Sequence, residues 1–146
     1  STRTSRSTVS TNHNPEPGRI MLPADTLQSI GAAARAAADK KAFHIIGFEV
    51  TELTSYTDSL LICSGASDRQ VAAIADGVRL RLREIGRRPL HVEGEGRSEW
   101  VLLDYGDFVM HVFTEERRAY YGLDSVWSDA PRVADEALGV GARAPQ

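Results

Sequence analysis

The segment between Gly65 and Gly86 narrows the fold more than any other. It opens with Ser67-Asp68-Arg69-Gln70, in the form of a helix-starting capping box. Val71, Ile74, Ala75, Val78, Leu82 and Ile85 then recur at helical spacing. The opposite face carries Arg69, Asp76, Arg79, Arg83 and Glu84, and Gly86 supplies the stop. Such a helix must lie on an apolar surface, and strands flank it on both sides. Ahead of it, residues 43–50 are β-branched and aromatic, with a bulge expected at Gly47. Residues 58–64 form a shorter apolar run that reads as a central strand. Behind it come Pro89-Leu90-His91-Val92, Trp100-Val101-Leu102-Leu103 and the run 108–113. A first helix over 23–41, with Pro23 in its first turn, and a short terminal helix opened by Thr114-Glu115-Glu116 complete the order α-β-β-α-β-β-β-α. That order predicts an α/β domain: one mixed sheet of about five strands with helices packed on it.

Of the 146 residues, 42% are hydrophobic and 25% charged, the balance of a chain with one core, here expected over residues 21–129. Residues 1–20, dominated by Ser, Thr, Arg, Asn and Pro, have too few apolar side chains to offset the entropy of ordering and read as a disordered extension. They are basic and Ser-rich but lack the amphipathic face of a transit peptide. The Ala-, Gly- and Pro-rich residues 130–146 read as a flexible tail. No run of about 18 apolar residues occurs, so no membrane span is expected, and the expected compartment is the cytoplasm. The net charge of -3 gives no general attraction to phosphate backbones, so direct sequence-specific nucleic-acid binding is not expected. One cysteine, Cys63, excludes an internal disulfide and a multi-thiolate zinc site.

Catalytic motifs fare poorly. Gly94-Glu95-Gly96 begins like a dinucleotide fingerprint, but Glu99 holds the third glycine position and a strand follows where a helix N-terminus is needed. A metal-dependent nucleotidyl- or phosphoryl-transfer enzyme would need two carboxylates projecting from one strand face, and the candidates are Asp104, Asp107 and Glu93. Asp104 and Asp107 lie three apart around a turn, where carboxylates ordinarily accept local backbone hydrogen bonds. His91 and Glu93 have a spacing a metal could use, without a second ligand pair. Cys63, in an apolar strand, reads as a small buried hydrophobe, and Ser67 as a helix cap. No cofactor is expected.

With Tyr105-Gly106 as a two-residue hairpin loop, Leu103 faces Phe108, Leu102 faces Val109 and Trp100 faces His111. Val101, Leu103, Phe108, Met110 and Val112 then share one apolar face, the core face. Trp100, Leu102, Asp104, Val109 and His111 share the other. Two readings of that mixed face stand side by side. Trp100 and Leu102 lie under the first helix as core, or they form an exposed patch of the kind that anchors protein interfaces.

At these residues the chain resembles the ribosomal silencing factor, or Iojap-like, family. The resemblance rests on Tyr56-Thr57-Asp58-Ser59, on Ser64-Gly65-Ala66-Ser67-Asp68-Arg69-Gln70-Val71 with Ile74-Ala75-Asp76, and on Pro89-Leu90 with Glu93-Gly94. It continues through Trp100-Val101-Leu102-Leu103-Asp104-Tyr105-Gly106-Asp107, His111-Val112-Phe113, Arg118 with Tyr120-Tyr121-Gly122-Leu123, and Trp127-Ser128-Asp129. The pattern departs at Ser98-Glu99, where a glycine is more usual. The resemblance implies a nucleotidyltransferase-like fold without the catalytic carboxylates and no enzymatic activity. It implies binding to ribosomal protein L-fourteen on the large ribosomal subunit, a steric block to joining of the small subunit, and repression of translation under nutrient limitation. It implies a homodimer when free. The docking strand carries over onto Trp100, Leu102 and Asp104, with Tyr105, Met110 and His111 added from the hairpin geometry. Two other functions remain open at this point: the transfer enzyme above, and a homodimeric adaptor unrelated to the ribosome.

Overall fold

The computed structural model describes residues 22–96 and 98–139. The expectation for residues 1–20 lies outside the described residues, as does the last part of the tail, 140–146. The chain runs α1 (Ala24–Asp39), β1 (Phe43–Glu49), β2 (Ser59–Gly65), α2 (Asp68–Glu84), β3 (His91–Glu93), β4 (Trp100–Asp104), β5 (Phe108–Thr114), α3 (Glu115–Tyr121), α4 (Leu123–Val126) and α5 (Asp135–Leu138). The five strands form one mixed sheet in the order β1-β2-β5-β4-β3, as the α/β reading expects. Only β2 and β5 run parallel; the other neighbours are antiparallel.

Helix α2 starts as its sequence requires: Ser67 Oγ accepts the Gln70 N–H at 3.2 Å. The reciprocal half of the capping box is not made, because the Gln70 side-chain amide donates to the Lys40 carbonyl instead and ties α2 to the end of α1. One sheet face lies under α1 and α2, where Ile30, Leu61, Val71, Ile74, Val78, Leu82, Leu103, Met110 and Val112 are buried together. The alanines of α1 (Ala33, Ala34, Ala36, Ala37) are buried in the same layer and permit close approach of its neighbours. The second face gathers Phe48, Val50, Leu60, Ile62, Val109, Phe113 and Ala130, with Trp100, Leu102, Leu123 and Trp127 half-buried at its margin. Strands β2 and β5 are buried along their whole length, as the middle of a sheet covered on both faces must be.

Three expectations are corrected. The hairpin loop is Gly106-Asp107 rather than Tyr105-Gly106: the Tyr105 N–H donates to the Phe108 carbonyl at 2.9 Å, and Asp104 pairs with Val109, Leu102 with His111 and Trp100 with Phe113. Gly106 takes the first loop position at φ +92°, a conformation that favours glycine there. The register moves by two residues, which preserves side-chain parity, so the two faces of the hairpin remain those expected.

The bulge lies between Phe43 and Ile46, not at Gly47. His44 sits at φ +52°, held there by an Arg118 guanidinium N–H donating to its carbonyl at 2.7 Å. Gly47 serves a close approach instead. A Cβ on it would lie 3.1 Å from Val133 Cβ.

That approach belongs to the third correction. Residues 130–139, expected to be a flexible tail, are packed on the fold. The Glu49 N–H donates to Pro131 O and the Val133 N–H to Gly47 O, each at 2.8 Å, so the segment covers the outer edge of β1. Ala130, Val133 and Leu138 are buried, which is the apolar gain a composition rich in Ala and Gly conceals.

Candidate docking face

Cross-strand pairing sets the side chains of the second face into rows. Glu93, Leu102, His111 and Ile62 form one row, and His91, Asp104, Val109 and Leu60 the next. Where the middle strands are covered by α3, α4 and residues 127–130, the β4 end is open. Trp100, Leu102 and Asp104 are half-buried there. The reading in which Trp100 and Leu102 lie under the first helix is therefore corrected: α1 covers the opposite face.

Trp100 is held by its neighbours. Its ring lies nearly parallel to Phe113, with centroids 5.3 Å apart, and packs on Tyr121 at 4.7 Å. Its indole Nε1–H donates to His111 Nδ1 at 3.0 Å. Beside it a cleft of about 490 Å³ is lined by Glu93, Glu99, Leu102, Arg117 and Tyr121. Tyr121 is 44% exposed, so an aromatic edge stands at the rim of the cleft. At the far end of β4, Asp104 Oδ1 accepts the Gly106 N–H at 2.8 Å. No described residue partners Asp104 Oδ2.

Of the six residues expected to touch a partner, two are corrected. Met110 points into the layer beneath α1 and α2 and is wholly buried. Tyr105 lies in the same layer, 2% exposed, where burial pushes its phenol up to about 12 and its hydroxyl has no hydrogen-bond partner among the described residues. Neither reaches the surface. His111 lies on the expected face but is only 6% exposed, and its side chain accepts from the Trp100 indole there.

Burial also pushes the His111 imidazole down, to about 4. The indole can only donate, so the bond to Nδ1 requires the neutral ring with its proton on Nε2. Unfolded, the same histidine titrates near 6.5. Between these values the unfolded chain binds a proton that the folded chain does not. The stability His111 contributes is therefore complete above about pH 6.5 and lost as pH falls toward 4, roughly 3 kcal/mol in all. Urea midpoints at neutral and mildly acidic pH check this against His111→Gln, which keeps an acceptor for the indole and removes the titration. The variant should lose most of the pH dependence in that window; an identical profile would exclude His111 as its source.

The carboxylates considered for metal chemistry lie in separate partnerships. Asp107 binds the Arg87 guanidinium at 2.8 and 3.0 Å and accepts from Thr26 Oγ at 2.7 Å, which holds its carboxyl below the usual range despite partial burial. Asp104 serves the turn, and Glu93 pairs with His91 at 2.6 Å. No group of three metal-capable side chains gathers among the described residues. Cys63 is fully buried, and desolvation pushes its thiol up to about 12, the state of an inert core residue.

Sequence reasoning missed the cluster behind this face. Arg118, 9% exposed, donates to His44 O, to Ser64 Oγ and, through a two-pronged contact, to Asp124. Ser64 Oγ in turn donates to Glu115 at 2.6 Å. The signal present was an arginine inside a short helix next to tyrosines, which does not name partners 54 and 74 residues away.

Comparison with known proteins identifies the family and matches the fold. The family model described as "Ribosomal silencing factor during starvation" matches residues 23–146. The ribosomal silencing factor RsfS of Bacillus subtilis is 41% identical over 108 residues, which span 74% of this chain and 91% of that protein. That of Halalkalibacterium halodurans is 40% identical over 106 residues, 73% of this chain and 91% of the relative. A maize protein, "Protein Iojap, chloroplastic", is 31% identical across 75% of this chain and 48% of its own length. A crystal structure of a Chromobacterium violaceum protein superposes with a TM-score of 0.67 at 37% identity, covering 70% of this chain and 86% of that one. The chain belongs to the ribosomal silencing factor family, a family of ribosome regulators and not of enzymes.

Proposed function

We propose that this chain binds ribosomal protein L-fourteen on the large ribosomal subunit and, by occupying that place, blocks joining of the small subunit and represses translation when nutrients are limiting. The half-open face of Trp100, Leu102 and Asp104 carries the proposal. An indole pre-set by three aromatic or imidazole neighbours loses little freedom on binding, which is the property of an interface anchor. Glu93, Asp104 and Glu99 around it, the last paired with Arg117, leave an acidic excess suited to a basic ribosomal protein. Asp104 Oδ2 accepts from a lysine or arginine of the partner. A standard interface of roughly 800 Å² per partner is within reach of β4, the cleft and α3 together. Free chains pair through the same apolar surface as homodimers, and the setting is the cytoplasm. No helix among the described residues is long and apolar enough to cross a membrane.

The test is co-sedimentation with purified large subunits followed by a subunit-joining assay. The protein should pellet with large subunits and lower the yield of joined ribosomes. Recovery of all protein in the supernatant at micromolar concentration would sink the proposal.

A further inference from the structure

A second cleft lies around the sheet edge from the docking face, between α2, residues 87–90 and β3. It encloses about 710 Å³, and Asp76, Arg79, Arg83, Arg87, Arg88 and His91 line it. Four arginines thus meet a single carboxylate, in a chain whose net charge is -3. Two of the four are committed: Arg79 pairs with Glu95 and Arg87 with Asp107. Arg83 and Arg88 are exposed and pair with nothing among the described residues. Arg79 and Arg83 stand one helical turn apart on the same face of α2. The arginines of α2 and residues 87–88 thus gather at one end of β3, away from the acidic cleft that Glu93 and Glu99 line, with the His91–Glu93 pair between the two.

We propose that this arginine cleft binds RNA phosphates as a second contact with the ribosome. The inference rests on the ribosome-binding reading above. Planar guanidinium forks match phosphate oxygens two at a time, whereas a basic ribosomal protein would be repelled. Contacts from guanidinium forks to phosphate oxygens carry no sequence information, so the cleft reads backbone and not sequence. Two apolar side chains at its margin, Leu80 and Leu90, are 54% and 76% exposed and pack against sugars at the groove. A local phosphate site also reconciles the acidic chain with an RNA-rich target: the net charge suppresses indiscriminate binding while a concentrated patch acts at short range.

The test uses the full chain and the double variant Arg83→Ala/Arg88→Ala, neither residue being part of an ion pair that holds the fold. Fluorescence anisotropy with a labelled, mixed-sequence, single-stranded RNA is followed from about 50 to 200 mM KCl. The wild type should bind in the micromolar range and the double variant about tenfold more weakly. The log–log salt slope should become shallower by about 1.4, two contacts at about 0.7 each. Equal affinity and slope for the two proteins, or no binding by the wild type at the lowest salt, overturns the inference. So does displacement of the RNA by polyglutamate at lower charge concentration than by unlabelled RNA, which would assign the cleft to an acidic protein. Pelleting with large subunits separates the two proposals. A wild type that binds RNA but does not pellet defeats the docking proposal and the ribosomal setting of this contact, while the arginine cleft still stands as a phosphate site. A wild type that pellets with the same salt dependence as the double variant defeats this one.

Discussion

Arg118→Ala is expected to lower the stability of the fold by about 2–4 kcal/mol, the cost of removing a buried guanidinium that satisfies three partners, the half-exposed Asp124 among them. The guanidinium is 9% exposed and joins three elements: the His44 carbonyl of β1 at 2.7 Å, Ser64 Oγ of β2 at 2.8 Å, and both Asp124 oxygens of α4 at 3.0 and 2.8 Å. Its removal leaves the strained His44 peptide without its donor and Asp124 without the cation that holds its carboxyl below the usual range. The melting temperature should fall by about 10 °C. Arg118→Lys restores only part of the loss, because one ammonium cannot reproduce the two-pronged contact with Asp124 while also reaching β1 and β2. Thermal melts decide it. An Arg118→Ala protein that melts within about 2 °C of the wild type would show that the cluster adds nothing measurable to stability.

This cluster marks the boundary of what the chain's order of residues discloses. The amphipathic period of residues 71–85 and the alternation along β4 and β5 are local signals, and each led to the right element and the right face. Even the misplaced hairpin loop did no harm to that division, because a slip of two residues keeps every side chain on its side of the sheet. A glycine in a strand has two local meanings, a bulge or a close approach, and only the fold decides between them: Gly47 makes room for Val133, 86 positions later in the chain. The packing of residues 130–139 was hidden for the same reason, since its partners lie on β1 and α1. Met110 and Tyr105 show a different failure. Alternation along β5 puts Met110 on the core face, which is incompatible with a place on the docking face. The proposed ribosomal partner rests on resemblance across many ordered blocks, and no spacing within the chain implies it.

Leu102→Glu is expected to weaken binding to the large subunit at least 100-fold, about 3 kcal/mol, while the protein stays folded. Leu102 is half-buried beside Trp100 and lies between Glu93 and His111 in the sheet. A carboxylate there projects into the centre of the proposed interface, where partner contact would strip its water, and it stands next to Glu93 of the same sign. In the free protein the same carboxylate can reach solvent through the open cleft, so folding tolerates what binding does not. Trp100→Ala should lose binding to a similar degree, but it is the less discriminating variant. The indole stacks on Phe113 and Tyr121 and donates to His111, so its removal opens the second core and orphans a buried acceptor, a loss of roughly 2–3 kcal/mol in stability. Paired measurements of melting temperature and of co-sedimentation therefore separate the two effects. Leu102→Glu should shift the pelleting curve far more than the melt, and Trp100→Ala should shift both. If folded Leu102→Glu pellets with large subunits as the wild type does, the docking face lies elsewhere on the molecule.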